Sequence, residues 1–145
     1  MDNYDTLNHL LVELFRDIMN IEEKAVITPE FKDITNNDMH IIEAIGRTEQ
    51  KNMSAIAKSL SVTVGTLTIA INNLVKKGYV HRVRSEKDRR VVLISLTEKG
   101  RKAFDHHKRF HERMIDAAMN EIPNEEMDIL VKALKNLTEF FQGYE

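Results

Sequence analysis

The chain has 145 residues, enough for one domain with a real core or one compact domain with helical extensions. It is 42% apolar and 30% charged, with two prolines, five glycines and no cysteine. The absence of cysteine excludes disulfides, thiolate metal sites and thiol redox sensing. With no run of eighteen apolar residues and no basic-then-apolar leader, nothing points to membrane insertion or export, so a cytoplasmic location is expected. The net charge of −2 argues against a polyanion partner until its distribution is considered. Residues 76–90 carry seven Lys/Arg and two acids, 7 − 2 = +5, whereas residues 1–50 carry four Lys/Arg and eleven acids, 4 − 11 = −7. A basic patch on an acidic body orients a docking polyanion.

In chain order, residues 2–25 read as a helix, since Leu7, Leu11, Leu14, Ile18, Ile21 and Ala25 alternate steps of four and three. That spacing makes a seam for another helix. Thr28-Pro29 ends it, because the residue before proline is driven out of helical geometry. Residues 31–34 form a connector, and Thr35 with Asp38 caps a helix running to about Gly46. Residues 54–60 read as a short helix, followed by a turn at Ser61-Val62 and a second helix over 63–77, closed by Gly78. Two β-rich runs, 79–84 and 91–96, flank the charged turn Ser85-Glu86-Lys87-Asp88-Arg89-Arg90. Thr97 caps a long helix to about Asn120, Pro123-Asn124 breaks it, and a last helix over 125–142 places Met127, Leu130, Leu134, Leu137 and Phe141 on one stripe.

Helix, turn, helix, strand, basic turn, strand is the order of a winged helix-turn-helix. The expected fold is therefore mainly α with a small β-wing, in a single domain. Its winged DNA-binding lobe would occupy 35–97, and its dimerisation helices 1–30 and 98–145. At 100° per residue, Leu67, Ala70, Ile71 and Leu74 face inward on the helix over 63–77. Gly65, Thr66, Ile69, Asn72, Asn73 and Lys76 face outward, and no acid occurs between Val62 and His81. Amides and hydroxyls bond base edges, an apolar side chain meets a thymine methyl, and the missing acid avoids phosphate repulsion. A plain amphipathic helix would instead carry Glu and Lys pairs on its outer face, and a protein-interaction wing would carry acids or large apolar groups there. The candidate DNA-contacting set is Ser54, Thr63, Gly65, Thr66, Thr68, Ile69, Asn72, Asn73, Lys76, Arg82, Arg84, Lys87, Asp88, Arg89 and Arg90. Wide apolar stripes on the terminal helices favour burial against a second copy around a two-fold axis. Such a homodimer would set its reading helices ~34 Å apart on a pseudo-palindromic duplex.

The runs Asn72-Asn73-Leu74-Val75-Lys76-Lys77-Gly78-Tyr79-Val80, Arg82 through Val92 with Asp88-Arg89-Arg90 in the turn, and Leu96-Thr97-Glu98-Lys99-Gly100 resemble the MarR family of bacterial transcriptional regulators. The resemblance covers essentially the whole chain. It implies a homodimeric repressor or activator whose second helix enters the major groove. An arginine-bearing wing, Arg89 or Arg90 at its tip, would reach a narrow A·T-rich minor groove. Asp88 would hold Arg90 across the hairpin; the alternative is an ordinary surface ion pair. Val64-Gly65-Thr66, Asn72-Asn73, Arg82 through Asp88, Phe31-Lys32-Asp33-Ile34 and His107-Lys108-Arg109-Phe110-His111 are most similar to the branch that represses fatty-acid synthesis genes. That likeness implies long-chain acyl-acyl carrier protein as corepressor, with Leu11, Leu14, Phe15, Ile18, Phe104, Phe110 and Met114 as the acyl-chain lining, or else plain core and dimer seam.

A competing constellation is Glu22, His40, His107 and His111, with His107 and His111 at the i,i+4 spacing that lets two imidazoles share Zn²⁺. It resembles the zinc-responsive branch of the same family; the alternative is hydrogen bonding between helices, to Glu22 or Glu23. A regulator with a small aromatic or lipophilic effector is the third reading. No phosphate loop, nucleophile elbow or carboxylate pair suggests an enzyme. No cofactor is required by the motifs themselves.

Overall fold

The computed structural model describes residues 2–144; Met1 and Glu145, the outermost residues of the expected terminal segments, lie outside the described residues. The described elements are α1 (Asn3–Val26), α2 (Asn36–Ile45), β1 (Lys51–Asn52), α3 (Met53–Ser59), α4 (Val64–Lys77), β2 (Val80–Arg84), β3 (Val92–Leu96), α5 (Glu98–Met119) and α6 (Asn124–Gln142). They fall into two compact units, Met1–Arg109 and Phe110–Glu145, divided within α5. α1 and the first half of α5 cluster with the winged residues in the first of these units.

In the first unit each helix begins where a side chain satisfies a free backbone N–H. Asp2 accepts from Asp5 N at 2.8 Å, Asn52 from Ala55 N at 2.7 Å and Thr63 from Thr66 N at 3.1 Å. Thr35 and Asp38 form a reciprocal capping box on α2. Gly78 ends α4 at φ 88°, a left-handed conformation that glycine adopts without a Cβ clash. The turn between α3 and α4 is made by Ser61 at φ 55°, and the two helices bend by 107°, within the range of a helix-turn-helix.

The core lies between α2, α3, α4 and the sheet. Ile42, Ile45, Ile56, Leu67, Ile71, Leu74 and Ile94 are fully buried, and Phe31 and Ile34 bring the connector after α1 into the same cluster. Each such side chain contributes about 1.5–3 kcal/mol of transfer free energy. The sheet is antiparallel in the order β1-β3-β2, with Val80 opposite Leu96 and Arg84 opposite Val92. Strand β1 was not foreseen, because two residues carry no alternation to detect.

Two contacts lock the C-terminal end of α4. The Tyr79 hydroxyl donates to Asp33 Oδ1 at 2.7 Å, and Lys77 Nζ lies 2.9 Å from Asp38 Oδ2. The second unit contains the last part of α5, a turn with Glu121 at φ 63°, and α6 beginning after Pro123. None of the α6 residues is buried, and Ile129, Leu134, Phe140 and Phe141 stand exposed. Among the described residues no single helix is long and apolar enough to cross a membrane.

Candidate nucleic-acid interface

Helix α4 divides as its angular pattern requires. Leu67, Ile71 and Leu74 are buried; Gly65, Thr66, Ile69, Asn73 and Lys76 are exposed and Asn72 is half-buried. Ile69 is 68% exposed and puts an apolar side chain on the outward face, where it can meet a thymine methyl. The hydroxyls of the first turn are already oriented. Thr63 Oγ1 accepts from Thr66 N and donates to Thr66 Oγ1 at 2.9 Å, so the Thr66 proton is the one left to point outward. Thr68 instead donates to its own helix, at Val64 O, 2.7 Å away, which leaves its oxygen as an acceptor only. Gly65 has open space beside it, with Thr63 Oγ1 the nearest neighbour at 4.0 Å, so no packing demand explains the missing side chain.

The wing is the β2–β3 hairpin, closed by Ser85 N to Val91 O and Val91 N to Asp88 O, both 2.9 Å. Arg84 donates to the Arg89 carbonyl at 2.9 Å, bracing the turn from its base. Asp88 accepts from Arg90 Nε at 3.0 Å, Arg90 Nη2 at 3.1 Å and Arg90 N at 3.1 Å. The Arg90 guanidinium, then its backbone N–H, holds the Asp88 carboxyl below the usual carboxylate range, and the pairing raises Arg90 in turn. The choice between the two arginines thus acquires a structural distinction. Arg90 is aimed by a carboxylate fork, while Arg89 is exposed at the turn. Lys87 and Ser54 are exposed as well. A cavity of about 290 Å³ lies where wing and helices meet, lined by Ser54, Val64, Thr68, Arg82 and Arg90, and also by Asn52 and Met53, which sequence reasoning did not select. Only a fold that brings β1 beside the wing reveals them. Arg82, expected from sequence as a simple DNA contact, donates from Nη1 to Asn72 Oδ1 on α4.

The residues expected to line an acyl chain come from α1 and α5. Leu11, Leu14, Phe15 and Ile18 lie on α1, where Leu14 and Phe15 are more than half exposed. Phe104 packs against the winged core, and Phe110 and Met114 belong to the second unit. None of the seven borders the cavity of about 560 Å³ in the first unit, which lies between residues 28–31 and the α5 side chains Lys102, Asp105, His106 and Arg109. Asp105 there is paired with Arg47, at 2.8 and 3.2 Å, which lowers its carboxyl below the usual range.

Of the histidine constellation, the first unit brings Glu22, His40 and His107 together. His107 is 1% exposed; its Nε2 lies 2.7 Å from Glu43 Oε1 and 3.3 Å from Glu22 Oε1. His40 Nε2 is 3.8 Å from the same Glu22 oxygen. Glu43 rather than Glu23 is the second carboxylate, since it sits on α2 facing α5, and its position on the polar side of α2 gave no signal in sequence. His111 lies in the second unit, edge-on to Phe110 at 5.8 Å. His106 stands off this cluster, its ring tilted at 45° against Phe31 and donating to the Ala25 carbonyl at 2.9 Å.

With this geometry in place, the likenesses to known proteins are specific. The sequence profile of the SarA/Rot transcriptional regulators matches residues 23–107, more than half of the chain. The regulator SarZ of Staphylococcus haemolyticus is 32% identical over 130 residues, covering 90% of this chain and 87% of SarZ. Streptococcus pneumoniae FabT, solved in complex with DNA, is 40% identical with a TM-score of 0.86, covering 99% of this chain and all of FabT. A DNA-bound Staphylococcus aureus MepR mutant, at 21% identity and a TM-score of 0.64 over the full length of both chains, shares the fold. The chain belongs to the SarA/Rot-type, MarR-family winged-helix regulators, and is a DNA-binding regulator of transcription.

Proposed function

We propose that this chain acts in the cytoplasm as a homodimeric repressor that reads a pseudo-palindromic, A·T-rich duplex with α4 and the Arg90 wing. The observation that carries the reading is an acid-free, pre-oriented donor and acceptor face on α4, beside a wing arginine already aimed by Asp88. Phosphate contacts from the basic segment 76–90 would make binding salt-sensitive. The homodimer is supported by exposed apolar residues on α1 and on α6, each too large a stripe for water. The regulated genes are those of fatty-acid synthesis, with long-chain acyl-acyl carrier protein as corepressor; the 40% identity to FabT supports this branch.

The test combines sedimentation of the full chain with duplex binding, with and without acylated carrier protein. A dimer whose sequence-specific affinity rises with the acylated form, and not with the unacylated form, is expected. A monomer, or affinity indifferent to acylation, overturns the respective part. Arg90→Ala should weaken binding about five- to 150-fold, since a desolvated guanidinium contact is worth about 1–3 kcal/mol.

A second reading, zinc response, is favoured by the convergence of Glu22, His40 and His107. Those groups suit Zn²⁺ chemically, but His107 Nε2 faces two carboxylates as a proton donor and would have to surrender that proton to ligate. Calorimetry of the chelator-treated protein with Zn²⁺ separates the two: micromolar or tighter binding that alters DNA affinity supports zinc, and no heat excludes it.

A further inference from the structure

We propose that Arg82 is a positioning residue that dictates which base edge Asn72 can read; this rests on α4 being the reading helix. Arg82 is on the wing strand β2, and its Nη1 donates to Asn72 Oδ1 on α4. A guanidinium has donors only, so the amide atom it faces must be the oxygen. The planar amide then carries its Nδ2 donors on the side away from Arg82. Asparagine reads adenine by a bidentate contact that needs both its donor and its acceptor. With one lone pair of Oδ1 engaged by the wing, the amide cannot flip, and its Nδ2 donors are aimed at the acceptors of the major groove, guanine O6 and N7, adenine N7 or thymine O4. Asn73, exposed beside it, has no such engagement among the described residues. The two neighbouring amides therefore read by different rules, and the sequence pair Asn72-Asn73 conceals the difference.

The same contact joins the two halves of the interface. Arg82 and Arg90 line one cavity with Thr68 and Ser54, so the strand that orients the reading amide also carries the root of the wing.

The experiment is selection from a pool of random-sequence duplexes by the full-length protein, followed by competition and salt titration. The variants are Arg82→Ala, Arg82→Lys, Asn72→Ala, Asn72→Asp and the double alanine. Arg82→Ala and Asn72→Ala should lose preference, by about tenfold or more, at the same base pair, and the double variant should lose no more than either. Arg82→Lys keeps a donor to Oδ1 and should retain part of the preference. Asn72→Asp keeps the brace, because a carboxylate accepts the guanidinium, but has no donor, and should lose the preference entirely. Arg82 is exposed, so thermal melts of its variants should match the wild type.

A uniform loss across all sequences, with a salt slope lowered by about 0.9, would make Arg82 a phosphate contact and overturn the proposal. Unchanged binding by Arg82→Ala overturns it too. If the wild-type protein selects no sequence at all, the α4 reading itself fails, a result recognisably different from a uniform loss in one variant.

Discussion

Replacing Gly100 with alanine probes the joint between the wing and α5. A Cβ there would stand 2.1 Å from the Tyr79 carbonyl oxygen, 3.1 Å from its carbon and 3.2 Å from Leu96 Cβ. Backbone atoms cannot approach so closely in a close-packed interior, so α5 or the 78–79 turn must move by on the order of 1 Å. The joint is held by Thr97 N to Tyr79 O at 3.0 Å, Thr97 Oγ1 to Gly78 O at 2.6 Å and Arg101 Nη1 to Leu96 O at 3.1 Å. Overpacking costs about 1–3 kcal/mol, and one broken hydrogen bond adds about 0.5–1.5 kcal/mol. The better helix propensity of alanine returns about 1 kcal/mol. Central values leave a net loss of about 2 kcal/mol. Urea unfolding of the full chain, followed by far-ultraviolet circular dichroism, should show the midpoint falling by about 1 M, for a slope near 2 kcal/mol/M. Protein concentration must be held fixed, because the proposed dimer would add stability by mass action. A midpoint equal to the wild type, or higher, would refute the reasoning and show that the joint yields freely.

Tyr79→Phe removes the hydroxyl that donates to Asp33, and should cost about 1 kcal/mol at neutral pH. The Tyr79 bond is the main reason the Asp33 carboxyl lies below its ordinary range. Its contribution is therefore full above the unfolded value of about 3.9 and lost as pH falls through the lower folded value. Burial and Asp33 raise the phenol, so it remains a donor throughout. A gap between variant and wild type that is as wide at pH 3 as at pH 7 would count against this. Gly65→Ala should fold as well as the wild type, or up to about 1 kcal/mol better, while binding duplex several-fold more weakly; equal affinity in a filter or anisotropy assay would deny the glycine any role in close backbone approach. Asp88→Ala should leave the melting temperature unchanged, since exposed ion pairs stabilise little, yet weaken duplex binding about two- to tenfold as Arg90 loses its fixed aim. Removing an acid would by itself tighten binding, so tighter binding by Asp88→Ala would refute the orienting role.

Local chemistry is what the sequence by itself determined. The caps at Thr35 and Thr97, the glycine stop at Gly78 and the two faces of α4 depend on residues within a turn of one another. Periodicity and side-chain type suffice to read them, whereas the Asp88–Arg90 fork, equally local, was implied by the likeness to the MarR family. Tertiary structure alone decided what depends on residues distant in sequence. It paired Lys51–Asn52 with the wing, turned Glu43 toward His107, set Arg82 against Asn72 and pressed the Tyr79 carbonyl onto Gly100. The likeness of residues 96–100 to known regulators marked that last glycine without explaining it. The explanation is a backbone contact twenty-one residues apart, 100 − 79 = 21, which no local pattern encodes. Long-range pairs arise only when the buried faces of several helices and strands close on one core, and the polar residues at their edges are then brought into contact by that packing.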